Sequence, residues 1–139
     1  MTDAHIEESV INKFKELEGL TIDDAGNYPE VAFPYQSFSR PADGYWYELF
    51  YIPSEPIQIE LGEEARSRWV GILQVNVVVP KESGIEPALA RFDSIAKLFR
   101  AGSYIDNIRV NRTYRSSAYE DGDFYVLPVY VEVWADLDR

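Results

Sequence analysis

At 139 residues, with 46% hydrophobic and 14% aromatic side chains, the chain has the length of one ordinary domain and enough apolar mass for a core, which excludes disorder throughout. It has no cysteine and a single histidine, so disulfides and thiolate metal sites are excluded and histidine-dependent nucleophilic catalysis has one candidate at most. The formal charge is −11, from 24 acidic against 13 basic residues, which opposes tight binding to a phosphate backbone and suits passive passage of DNA past an acidic wall.

The first element reads as a helix over residues 3–18. Thr2 can act as N-cap, Asp3, Glu7 and Glu8 suit the early turns, and Ile6, Val10, Phe14 and Leu17 share one face, with Gly19 at the stop. This polar, acidic start does not have the pattern of a signal peptide, and no segment approaches the roughly 20 apolar residues of a membrane span. An intracellular or virion location, with no membrane partner, is the expectation.

Residues 19–44 form an irregular arm punctuated by Gly26, Pro29, Pro34, Pro41 and Gly44. Its aromatics, Tyr28, Phe33, Tyr35 and Phe38, predict packing on the body. A strand follows over 45–52, where Tyr45, Trp46, Tyr47, Phe50 and Tyr51 must divide between two faces. Ile57, Ile59 and Leu61 alternate with Gln58 and Glu60 as in a half-buried strand, and 62–68 reads as a charged loop.

The longest strand is expected over 69–79. Trp69, Gly71, Leu73, Val75, Val77 and Val79 share its apolar face; Gln74 and Asn76 lie on the mixed one, which suits a helix over one side and a partner or solvent over the other. Pro80 ends it. Ser83 and Glu86 match a capping box, but Pro87 fits better at the first helical position, with the helix running to about Arg100 and Gly102 closing it. Its stripe is Ala88, Leu89, Phe92, Ile95, Ala96 and Phe99. Two strands complete the chain. One, over 108–114, should carry Ile108, Val110, Arg112 and Tyr114 on one face; the other covers 124–134, where Pro128 predicts an edge or a bulge. Residues 116–123 between them read as a hairpin loop. The fold class is therefore α+β: a five- to six-stranded antiparallel or mixed sheet with one long helix packed on it and an N-terminal helix. The whole of 1–139 is one domain, with its sheet-plus-helix body over 45–134.

Chemical motifs are sparse. His5 sits in the first turn of a helix, where it is a surface residue. Ser94 and Lys97 match the S-x-x-K acylase pattern without its companion elements. Glu120, Asp121 and Asp123 around Gly122 resemble part of a cation loop, but strand flanks are wrong for an EF-hand and a solvated turn is the simpler reading, as at Asp23 and Asp24. Asn111-Arg112-Thr113 is a glycosylation sequon by pattern only. Glu48 and Glu60 could face each other in a cleft, or lie on solvated strand edges. No cofactor, metal or catalytic residue is expected.

From about Tyr28 to Trp134 the sequence resembles the tail-terminator (tail-completion) proteins of long-tailed bacteriophages and related prophages. The likeness is carried by Val31-Ala-Phe-Pro34 through Phe38 and Pro41 into Tyr45-Trp46, by the loop from Leu61-Gly62 to Arg68-Trp69, and by Gly71-Ile-Leu-Gln-Val-Asn-Val77 ending at Pro80 and Gly84. The helix with Asp93, Ile95 and Phe99, and the strand around Pro128 to Val133, fall where that family has them. The turn after the long strand departs from the family's glycine-rich form, being Lys81-Glu-Ser-Gly84. The resemblance implies a non-enzymatic structural protein of the virion tail, assembled in the host cytoplasm. Six copies would form a ring on the finished tail tube, stop its polymerisation and offer a surface to the head–tail connector. Its partners would be other copies, the tail-tube protein and the connector, with DNA only passing through.

Two charged loops are the expected contact surfaces, because both are polar and join long strands at what reads as one rim: Glu63, Glu64, Arg66 and Arg68 in the first, Tyr119, Asp121 and Asp123 in the second. The rival readings are a ligand carrier or enzyme on a cone-shaped α+β fold, with a pocket lined by Tyr47, Tyr51 and Trp69, and a sugar-binding module built on exposed coplanar aromatics.

Overall fold

A computed structural model describes residues 3–41, 44–53, 57–58 and 67–137. Among these, eight strands form one sheet with two helices, α1 (Asp3–Phe14) and α2 (Glu86–Leu98). The strands are β1 (Val31–Ala32), β2 (Trp46–Pro53), β3 (Ile57–Gln58), β4 (Ser67–Pro80), β5 (Tyr104–Ile105), β6 (Ile108–Arg115), β7 (Tyr119–Asp121) and β8 (Phe124–Leu137). Their order is β1-β2-β4-β8-β6-β5, with β3 also on β4 and β7 also on β8. All pairings are antiparallel except β1 with β2, so the sheet is mixed.

The centre is the pairing of β4 with β8, continuous from Ser67↔Leu137 to Pro80↔Phe124. Both are rich in β-branched residues, which pack well on a pleated surface. Each has a broken strand on its other side: β2 and β3 along β4, β6 and β7 along β8. Leu73, Val75, Val77 and Val79 of β4 pack beside Leu127, Val129, Val131 and Val133 of β8, and all are buried. α1 brings Ile6, Val10 and Phe14 onto this face, and α2 brings Ala88, Ile95 and Phe99. Successive strand residues point to opposite sides, so one face of the sheet is under helices and the other is a separate surface.

Several details depart from the sequence reading. The strand count is higher because three short pairings fall outside the expected strands: β1 in the arm, β5 just before β6, and β7 in 116–123. No single long helix dominates: α1 has 12 residues and α2 has 13. α1 ends before residue 18 because the N–H groups of Lys15, Glu16 and Leu17 each bond three residues back, to Asn12, Lys13 and Phe14. That tighter turn still delivers Leu17 to the core. Thr2 lies outside the described residues. α2 begins one residue earlier than expected, at Glu86, so Pro87 is its second residue. Ile85 is the N-cap without a side-chain bond, and Ser83 Oγ donates to the Pro80 carbonyl instead.

Pro128 lies neither at an edge nor at a bulge. It sits in the interior of β8, opposite Asn76 of β4. On the other side β6 ends opposite Val129 and β7 begins opposite Val126, so Pro128 faces the gap between them. Its carbonyl accepts the Ser116 N–H at 3.1 Å on that side, and its missing N–H falls there too, where no ladder bond is lost.

The arm is tied down at several points. The Glu30 carboxylate accepts from the Thr21 N–H at 2.6 Å and from Thr21 Oγ1 at 2.5 Å, while the Tyr47 N–H donates to the Glu30 carbonyl. Tyr47 is 1% exposed and packs edge-on to Phe14, with ring centroids 5.3 Å apart. Burial pushes its hydroxyl up to about 12, against the opposing pull of the hydrogen-bonded Arg91 guanidinium. An unfolded tyrosine ionises near 10, so the stability that depends on neutral Tyr47 is intact below pH 10 and is lost as pH rises toward 12. The urea midpoint is expected to fall across pH 10–12, and Tyr47→Phe should remove about 3 kcal/mol of that fall. Equal alkaline losses in both proteins would refute the assignment.

Candidate functional site

The face of the sheet away from the helices is closed at one end and open at the other. At the Pro80–Phe124 end, Trp46, Val78 and Val126 are buried in a second, small cluster with Phe38 of the arm and Phe124. Trp46 and Phe124 meet edge-on at 4.8 Å, and the Arg40 guanidinium lies over the Trp46 ring at 5.4 Å. The arm thus wraps round the β1–β2 edge and covers this end only.

Beyond that cluster the face is open among the described residues. Phe50 and Ile52 of β2 are 48% and 45% exposed, and Val70 and Ile72 of β4 are half-buried. Tyr130 stacks on Tyr114 with centroids 5.2 Å apart and planes 27° apart. The guanidinium of Arg112 lies over Tyr114, and that of Arg68 over Trp134, each at 4.5 Å. Arg112 Nε donates to Glu132 Oε2 at 3.0 Å, and Asn111 Nδ2 donates to Glu132 Oε1 at 2.8 Å.

A bulge creates this arrangement. The β6–β8 register runs from Val110↔Val133 to Arg112↔Glu132, leaving Asn111 as an extra residue. Ile108 and Val110 therefore point into the core, while Arg112 and Tyr114 point out. The sequence reading placed all four on one face; the inserted residue inverts the second pair. The result is a surface of arginines over aromatic rings, on strands that contain no lysine. Arginine and aromatics are the enriched residue types at protein interfaces, and lysine is depleted there. Arg68, Arg109 and Arg112 lie on this face, with Asp136 opposite Arg68 in the ladder, Glu132 beside Arg112 and Glu48 more distant. Glu48 is engaged by Trp46 Nε1 at 3.3 Å, and Glu60 lies outside the described residues.

Of the expected contact residues, Arg68 lies on this open face, and Glu63, Glu64 and Arg66 fall outside the described residues. Tyr119 is 51% exposed, and Asp121 and Asp123 are exposed too. These three belong to a β7–β8 hairpin whose two-residue loop is Gly122–Asp123, and Gly122 has the φ of 59° that a type II′ turn requires there. The shared rim is not observed. Ser67 and Pro80 mark opposite ends of β4, about 43 Å apart at 3.3 Å per residue, with Arg68 at one and the hairpin at the other. At the hairpin end the Lys81 N–H donates to the Asp123 carbonyl, and Lys81 Nζ pairs with Glu120 at 3.2 Å. Among the described residues no group of three or more His, Cys, Asp or Glu is placed to hold a metal ion.

The pocket of the rival reading is filled. Tyr47 is buried against Phe14, Tyr51 lies across Gly71 where a Cβ would overlap its hydroxyl, and Trp69 packs on the same core. A different concavity, an open groove of about 690 Å³, runs between α1 and arm residues 23–39. Its lining includes Glu7, Glu8, Ile11, Lys15, Asp23 and Tyr35. Sequence reasoning missed the open-face residues Tyr114, Tyr130 and Trp134. The alternation of Tyr130, Glu132 and Trp134 with buried valines was the available signal for the β8 members; nothing local marked the bulge.

Comparison with known proteins places this geometry. The family described as phage tail terminator protein matches residues 13–132. One solved structure, of a protein whose name carries no function, superposes with a TM-score of 0.66 at 18% identity, covering 94% of this chain and 95% of that one. A chain from the virion of a native gene transfer agent particle superposes with a TM-score of 0.57 at 13% identity, covering 95% of each. At these identities the likeness speaks to the fold alone. No curated protein sequence gives a significant match.

Arg109 and Arg112 are solvent-facing, so they should contribute little to folding. Replacing both with alanine is expected to cost no more than about 2 kcal/mol in urea unfolding, since Arg112 is largely exposed and the mostly buried Glu132 keeps its Asn111 hydrogen bond. A loss above about 2 kcal/mol would make the surface a folding element instead.

Proposed function

The chain belongs to the phage tail terminator family, and on that premise we propose that it closes, as a ring of six copies, on the finished tail tube of a virion. The ring stops tube polymerisation and offers its far side to the head–tail connector. The reading is structural and non-enzymatic, and it treats 1–139 as one domain. Assembly takes place in the host cytoplasm, and the finished protein resides in the tail.

The observation that carries this reading is the open, arginine-and-aromatic sheet face on a protein whose opposite face is sealed by helices. A sheet side left with half-exposed Phe50 and Ile52 has apolar surface to bury against another protein. The net charge of −11 keeps free subunits apart until they meet a template, and an acidic lumen lets DNA pass without sticking. Arg68 and the hairpin lie at opposite ends of β4 and β8, so in this reading the two contact segments serve different partners. The segment with Glu63, Glu64, Arg66 and Arg68 takes one side of the ring; the hairpin with Tyr119, Asp121 and Asp123 takes the other. One side meets the tube and the other meets the connector.

Light scattering coupled to size exclusion, with electron microscopy, should show rings of about six subunits, either free or on purified tail tubes. Asp121→Lys with Asp123→Lys should leave the rings intact and abolish one of the two junctions, giving either uncapped tubes or capped tails without heads. Tubes that grow to normal length in the absence of the protein would overturn the terminator role.

A further inference from the structure

We propose that neighbouring copies in the ring pack front to back, the open sheet face of one seated on the α1–arm groove of the next. The proposal rests on the ring reading and specifies which surfaces make it.

The two surfaces are different patches of the molecule: the open face is centred on β4, β8 and β6, and the groove lies between α1 and the arm. α1 covers the core face of the sheet with Ile6, Val10 and Phe14, and the groove lies along its exposed flank, between it and the arm at the β1 edge of the sheet. A contact between two different patches is heterologous, and repeated by rotation it closes a ring. Pairing two open faces about a two-fold axis would instead oppose like charges.

The charges also match across this contact. The open face presents Arg109 beside Arg112, which is paired with Glu132, and the groove presents Glu8 beside Asp23, which caps its own turn. The one lysine lining the groove, Lys15, lies over the Phe33 ring at 5.3 Å. Arg109 and Glu8 are both exposed, and neither makes a side-chain hydrogen bond or ion pair within the described residues. Among the described residues, neither charge has a side-chain counter-ion. At the groove, Tyr35 is 93% exposed and holds a left-handed φ of 64°, a conformation uncommon for a bulky residue. A fully presented aromatic next to a groove is the form an interface anchor takes, and Phe50 and Ile52 on the facing surface supply apolar area for it.

The chain contains no cysteine, so introduced thiols report on this contact cleanly. Glu8→Cys and Arg109→Cys proteins are prepared separately, mixed, and oxidised, both free and on tail tubes. A disulfide-linked dimer from the mixture, and a ladder ending at the ring number from the double variant, is the expected result. Rings visible by electron microscopy without that cross-link, or Arg109→Cys linking only to itself, overturn the packing and leave the ring reading standing. Tubes that bear no ring at all overturn both. As an independent check, Glu8→Arg and Arg109→Glu should each lose ring formation, and the two changes combined should recover it. Loss without recovery counts against the pairing.

Discussion

Fourteen consecutive residue pairings between β4 and β8 set the position of everything else in the molecule. Because side chains alternate along a strand, this one register sends Leu73 to Val79 and Leu127 to Val133 to the helices. It sends Gln74, Asn76, Tyr130, Glu132 and Trp134 to the other side. A slip of one residue would exchange the valine face for the polar and aromatic one. The deep burial of those valines makes such a slip costly, and so holds the open face in place as well.

The strands flanking this pair are interrupted, and the interruptions place the functional features. The gap between β6 and β7 lets Pro128 sit in a central strand without losing a ladder bond. Within β6, Asn111 is accommodated as a bulge, which turns Arg112 and Tyr114 outward to meet Glu132 and Tyr130. Core and surface are therefore adjusted by the same irregularity: the strand delivers Ile108 and Val110 inward for the core before switching sides.

The arm decides how much of the outer face stays open. Glu30 holds its start through Thr21, and the main chain beside it joins β2 through the parallel β1 pairing. Further on, Phe38 and Arg40 cover Trp46, so the closed end of the face is made by residues far from the central strands in sequence. On the other side of β2, Arg91 of α2 stacks over Tyr45 at 3.1 Å and hydrogen-bonds Tyr47. Its buried Nε has no partner, a polar cost held inside an otherwise apolar layer. The arm, first strand and both helices are thus one packed unit around Phe14 and Tyr47.

Length, composition and periodicity determined the α+β class, the order of the main elements and the valine face of the central strand, because core burial imposes a period of two that is written directly in β4 and β8. The family likeness was legible in the same residues, since its motifs are structural ones. What the sequence did not determine were relations between segments distant along the chain. Arg68 and the Tyr119–Asp123 hairpin, which the sequence reading put at one rim, lie at opposite ends of a long strand pair, because antiparallel order fixes their separation only once the partner strand is known. Arg112 and Tyr114 lie outside although the alternation put them with Ile108, because a bulge exists only relative to a neighbouring strand. The arm's wrapping of Trp46, and with it the limits of the open face, follows from contacts between residues 38–40 and strands that come later in the chain, which only the tertiary structure brings together.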